Sequence, residues 1–232
     1  MHDRFGARVQ FHVHGKRGRF ELAQLSDRFK ADWEAHADWI RLAFHQKESP
    51  ESDFSYKDST YEKVRQDYQE ISGEIARFAG PEVLSPFVTI HHAACSKDGM
   101  RALRDCGVKG LGSASWRSPN GVLAACYGLS HEETLKLDRY GFVQCEETGL
   151  CFVMLDVILH EPVFTIADLK TQIKHLMSET DRWHHLEVGF EEWAFDPKHP
   201  GFMPDAEERA IKVLSFLDEL EIQPVFLEEV VS

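Results

Sequence analysis

Two short apolar stretches run straight into histidine, Asp38-Trp39-Ile40-Arg41-Leu42-Ala43-Phe44-His45 and Pro86-Phe87-Val88-Thr89-Ile90-His91-His92. A third, Leu186-Glu187-Val188-Gly189-Phe190, runs into Glu191, Glu192 and Trp193. Imidazole with carboxylate is a normal ligand set for zinc, iron, manganese or nickel, and a water on such a metal becomes a hydroxide source near neutral pH. His45 and His91 are the candidate metal ligands. Glu191, Glu192 and His92 are the candidates for acid-base work, open to them with or without a metal. No tight H-x-x-x-H or H-E-x-x-H spacing joins these residues, so the fold must bring separate strand ends together. The plainer reading of each histidine is a hydrogen-bonded residue at the edge of a core.

Trp116 and Trp193 are candidate substrate contacts, either stacking platforms for a sugar ring or lids packed onto the core, and Arg41 is a third. Asp156, inside the apolar run Cys151 to His160, costs several kcal/mol unless it is paired. It is expected to be structural, held by an arginine such as Arg41, or to orient a ligand histidine through its second nitrogen. Cys95, three residues after His92, is the thiol placed to act as a nucleophile, but no basic neighbour lowers its pKa.

The elements that must position these groups alternate along the chain. Ala7 to Val13 alternates with period two and closes at Gly15, which predicts a strand with His12 and His14 on its polar face. Leu22, Leu25, Phe29 and Trp33 give a helical stripe, and the strand ending in His45 follows. Gln46 to Asp58 reads as a loop. Ser59-Thr60-Tyr61-Glu62 has capping-box spacing for a helix that Gly80-Pro81 stops. Further strands are expected at 86–92, 108–111, 122–127, 151–160, 186–193 and 224–227, with helices at 97–106, 131–139, from 165 and at 205–220. Such alternation implies parallel strands with their carboxyl ends on one rim. The expected fold is α/β, a single domain over 1–232, built as a distorted (β/α) barrel of about seven mostly parallel strands.

Composition narrows the class. In 232 residues, 43% hydrophobic and 28% charged content fits a globular chain, and a net charge of -13 argues against a nucleic-acid partner. No apolar run approaches the roughly 20 residues that a bilayer demands, and Met1-His2-Asp3-Arg4 lacks the order of a signal peptide, so a cytoplasmic location without membrane contact is expected. Five cysteines without a C-x-x-C pair fit reduced thiols.

The succession Ala37 to His45, then Glu74-Ile75-Ala76-Arg77-Phe78-Ala79-Gly80, then Thr89-Ile90-His91-His92, then Glu191-Glu192-Trp193 resembles a poorly characterised bacterial branch of the polysaccharide deacetylase (NodB-like) superfamily. The resemblance implies a divalent metal, zinc or similar, that activates water to remove an acyl group from a carbohydrate. The chain departs from that pattern: active members carry a paired Asp after the first strand and an H-x-x-x-H pair. Here no Asp-Asp occurs, Ser49 stands four residues after His45, and the family's Arg-containing motif is not recognisable. Met1 to Gly6 looks like the end of a helix following a missing first strand. Either the native protein begins upstream or the fold lacks that strand and its Asp.

The expected function is therefore a metal-dependent hydrolase acting on a carbohydrate or another small acylated substrate. Two alternatives stay open: a degenerate member that binds a saccharide or protein partner without turnover, and an unrelated hydrolase in which the His and Glu residues hold the metal alone.

Overall fold

A computed structural model of the chain describes residues 1–48, 56–117, 123–179, 181–182 and 185–231. A short helix α1 (His2–Phe5) leads into strand β1 (Val9–Arg17), which turns back through β2 (Phe20–Glu21). Two 3-10 turns and α2 (Lys30–Ala35) then reach β3 (Ile40–Glu48), which runs parallel to β1. The expected helix over 22–33 is thus broken. Its Leu22 is buried, whereas Leu25 and Phe29 stay exposed, so no continuous apolar stripe is buried to hold it.

The helix α3 (Tyr61–Ala79) forms as its pattern predicts, with Val64, Ile71, Ile75 and Phe78 buried on one face. Thr60 rather than Ser59 caps it, accepting from the Lys63 N–H at 3.3 Å, and Gly80 at φ 95° ends it. Next come β4 (Phe87–Val88), α4 (Lys97–Asp105), β5 (Gly110–Leu111), β6 (Ser115–Arg117) and β7 (Leu123–Ala125). They are followed by α5 (His131–Tyr140), β8 (Phe142–Gln144), β9 (Cys151–Val153) and β10 (Val157–Ile158). The chain finishes with α6 (Ile166–Ser178), β11 (Val188–Gly189), α7 (Ala206–Glu219) and α8 (Leu227–Val230).

The expected closed barrel of about seven mostly parallel strands is not what these elements build. Among the described residues there are four small sheets, ordered β2-β1-β3, β4-β5-β9-β8, β10-β11 and β6-β7. Parallel pairing joins β1 to β3, β4 to β5, β5 to β9 and β10 to β11. Two features prevent closure. The strand β8 adds antiparallel to β9 and β6 pairs antiparallel with β7, neither of which a uniform parallel barrel allows. Most strands are also only two or three residues long, and 224–226, read as a closing strand, has no ladder and leads into α8.

The run from Cys151 to His160 shows why. Its N–H groups pass from one partner to the next: Met154 to the Gly141 carbonyl, Leu155 to Ser115, and Asp156 to Glu187. No single neighbour pairs with all of it. Asp156 fixes this switch, with one carboxylate oxygen on Arg182 and the other accepting from the Glu187 N–H at 2.9 Å. Both side chains are nearly inaccessible, and Arg182 also donates to the Asp138 carbonyl at 2.9 Å. Asp156 is thus structural, paired with Arg182 rather than Arg41. Removing one member of a buried pair strands the other charge, so Asp156→Ala is expected to cost about 3–5 kcal/mol in urea unfolding at pH 7. A loss below about 1 kcal/mol would show that the pair does not hold this switch.

The main core packs α3 and α4 against β3, β4 and β5 through Phe44, Ile75, Phe78, Leu103 and Leu111. A second cluster, with Val157, Ile173 and Val213, lies among α6, α7 and β10. No helix among the described residues is long and apolar enough to cross a membrane.

Candidate metal centre

The site begins with a β-bulge. The register of β1 on β3 runs from Val9↔Ile40 to Val13↔Phe44, then skips to His14↔Gln46, leaving His45 as the extra residue. Phe44 faces α3, its ring 5.6 Å from that of Tyr68, and Lys47 faces it too, its ammonium 2.5 Å from Glu70. A regular strand cannot send residues three apart to one face, so the two between them, His45 and Gln46, both turn to the other. Gly15 on β1 also faces α3, where any side chain would collide with Ile71. Alternation then sends His14 and His12 to the face that carries His45.

His91 arrives from a different element. Directly after β4 the chain tightens into a 3-10 turn, His91–Ala93, with His92 at φ 55° and Ala93 at φ 46°. Two successive non-glycine residues in the left-handed region are strained backbone, and such strain gathers at functional sites. The turn swings the His91 ring onto His45, with Nδ1 3.1 Å from His45 Nε2. His14 completes the group, its ring centre 4.8 Å from His45 and 5.2 Å from His91. One ring nitrogen from each of the three lies within 4.8 Å of the others.

The backbone of Thr89 clamps this arrangement. Its carbonyl accepts from His45 Nδ1–H, which leaves His45 Nε2 as the lone-pair nitrogen facing His91, and its N–H donates to His12 Nδ1 at 3.2 Å. A ligand histidine oriented through its second nitrogen by a backbone carbonyl is the usual support of a metal site. Burial pushes His45 down to about 2, helped by the other imidazoles and opposed by the Thr89 bond. Burial takes His12 to about 4, and burial with the Arg17 charge lowers His14 against Glu192. His12, His14 and His45 are therefore neutral at pH 7, the form that binds metal.

The donor set fits a divalent ion. Three imidazoles with an open side match a catalytic zinc site, whose nitrogens at 2.0–2.1 Å from the ion stand about 3.3 Å apart. The His45–His91 spacing is already close to that. His14, within 4.8 Å of the other two, would have to move closer to them.

The carboxylates are placed differently from the expectation. Glu192 is exposed and paired with Arg17 at 3.0 Å, and Glu191 offers its backbone N–H to His160 Nδ1 at 3.2 Å. Both belong to a turn after β11, not to a strand. They sit on the rim near the imidazoles: Glu192 acts on His14, while desolvation and Glu192 raise the Glu191 carboxyl against Arg17 and His92. Trp193 is packed between His160 and His199, with ring centres 5.3 Å from each. Arg41 lies at the opposite end of β3 from His45, its Nε 2.8 Å from Glu228 and its guanidinium over the Phe226 ring. The backbone of Trp116 lies in β6, and its side chain falls outside the described residues. Cys95 is buried, which pushes its thiol up to about 12, a poor nucleophile.

A different carboxyl faces inward. Glu187 takes the Ser113 N–H at 3.3 Å and the Ser113 hydroxyl at 3.2 Å, and burial pushes it up to about 7. It reaches across Gly112, where a Cβ would stand 3.2 Å from Glu187 Oε1 and 2.9 Å from Thr89 Oγ1. The bare glycine lets the carboxyl approach Thr89, the residue that clamps His45. The Tyr127 hydroxyl holds Gly112 in place through its carbonyl at 3.2 Å. Two participants thus escaped the sequence reading. His14 had a signal, its place on one face with His12, whereas Glu187 looked like any residue in a strand.

Compared with family models, with curated proteins and with solved structures, the chain matches none.

Proposed function

We propose that this protein is a metal-dependent hydrolase of the polysaccharide deacetylase type, in which His14, His45 and His91 hold a divalent ion, zinc or similar. The observation that carries the reading is the convergence of three imidazoles from β1, β3 and the turn after β4, one of them oriented by a backbone carbonyl. A divalent ion held there supplies Lewis acidity and a nucleophilic oxygen near neutral pH. Glu187, whose carboxyl burial raises to about 7, would take the proton from the attacking water and return it to the leaving group, the role the sequence alone suggests for Glu191 and Glu192. His92, beside His91 with ring centres 4.1 Å apart, would be the alternative donor of that one proton.

The residue succession that resembles deacetylases points to an acylated carbohydrate as substrate. Trp193, stacked on His199 and edge-on to His160, would be the aromatic contact for it. The absence of an Asp-Asp pair favours the second reading, a module that binds a saccharide or protein without turnover.

Metal analysis of the purified protein, followed by assay on acetylated sugars and simple acyl esters, tests the proposal. About one zinc, manganese or nickel ion per chain together with metal-dependent ester cleavage is expected. Stoichiometric metal without turnover would favour the binding module, and no metal would end the hydrolase reading.

A further inference from the structure

The same bulge that exposes His45 to His14 carries Gln46 to the same face. Gln46 is fully buried, and among the described residues neither its Oε1 nor its Nε2 has a hydrogen-bond partner. A carboxamide withdrawn from water with both polar atoms unmatched is costly, and in cores such groups are normally paired. An apolar side chain of similar length would be buried without that cost. The chain nevertheless spends this position on an amide, in direct register with His14 and next to His45.

We propose that Gln46 supplies a fourth, oxygen donor to the ion that His14, His45 and His91 gather, its carboxamide standing buried and unpartnered on the same face of the bulge. The inference rests on the metal centre proposed above and extends it from three ligands to four. Chemically it sets the site apart from an all-imidazole one. A neutral amide oxygen, like imidazole, adds no charge, but it is a harder donor and would make the site more tolerant of manganese or iron than three imidazoles alone. The bulge is the device that makes this possible, because a regular strand would turn Gln46 toward α3.

Zinc and cobalt titrations of wild-type protein, Gln46→Leu and Gln46→Glu, each with a melting curve of the metal-free form, test the inference. Gln46→Leu is expected to raise the metal-free Tm by about 2–4 °C, because an unmatched amide is removed, while weakening zinc affinity about 10-fold or more. Gln46→Glu, which keeps an oxygen donor, is expected to bind zinc at least as tightly as wild type, with the cobalt absorption spectrum retained. Gln46→Leu binding zinc within twofold of a metal-binding wild type would overturn this inference and leave the three-histidine centre standing. Loss of both Tm and affinity in Gln46→Leu would also overturn it, by showing that the side chain packs the core. A wild-type protein that binds no zinc or cobalt would overturn the centre and the fourth ligand together.

Discussion

His45→Ala is expected to abolish stoichiometric metal binding, with zinc affinity falling about 1000-fold, at ~1.4 kcal/mol per tenfold. His45 is the hinge of the group. It touches His91 through Nε2, stacks edge-on with His14, and is the histidine whose other nitrogen is fixed by the Thr89 carbonyl. Its removal leaves His14 and His91 without the ring that sets their spacing, so more than one ligand's share of affinity is lost. His91→Ala is expected to fall in the same range. Arg41→Ala, at the far end of the same strand, is expected to leave metal affinity unchanged. Isothermal titration with zinc against all three variants, with circular dichroism to confirm folding, gives the comparison. Unchanged affinity in both folded histidine variants would remove the metal centre from consideration.

Glu187→Gln is expected to lower hydrolysis about 100- to 10,000-fold while leaving zinc affinity close to wild type. It is also expected to make the protein more stable at high pH. The sign follows from proton binding. The Glu187 carboxyl ionises near 4.5 in an unfolded chain and at about 7 in the folded one. Between those values the folded state holds the extra proton, so this group's contribution is complete below about pH 4.5 and is lost as pH rises through 7. At pH 8 the ionised carboxylate sits in a site that disfavours its charge by up to ~3 kcal/mol, since each tenfold change in proton affinity between the two states is worth about 1.4 kcal/mol. Glutamine keeps the Ser113 bonds without the charge and escapes that penalty. Urea unfolding at pH 4 and pH 8 reads the difference: near zero at the lower pH and about 3 kcal/mol in favour of glutamine at the higher. Equal stabilities at both, with hydrolysis intact, would return Glu187 to the role of an ordinary core residue.

The long elements were legible as periodicity. The stripe Val64, Ile71, Ile75, Phe78 makes α3, and the alternation of Ala7 to Val13 makes β1, because a side-chain period is imposed by the backbone and needs no distant partner. The shorter strands were legible as apolar runs but not as members of one sheet. Which neighbour pairs with Met154, Leu155 and Asp156 depends on residues far along the chain, so a run that looked like one buried strand became two, and the expected barrel became four sheets. Glu191, Glu192 and Trp193 shifted for a related reason: the ladder of β11 ends at Gly189, and the turn that follows points side chains by local geometry, not by alternation.

Residue order alone shows that histidines follow apolar runs at two places, that the acidic composition argues against a nucleic-acid partner, and that no long apolar span is present. Those are local or summed properties, and the chain carries them whether folded or not. That β3 continues past His45 to Glu48 was not legible in that order. The choice of His14 as third imidazole, the inward turn of Gln46, the pairing of Asp156 with Arg182 and the approach of Glu187 across Gly112 came from the folded arrangement. Each depends on a one-residue bulge, a left-handed turn, a strand that changes partners or a bare glycine, and each brings together groups far apart in the chain. No periodicity encodes such a contact, because its position is set by the packing of several elements at once.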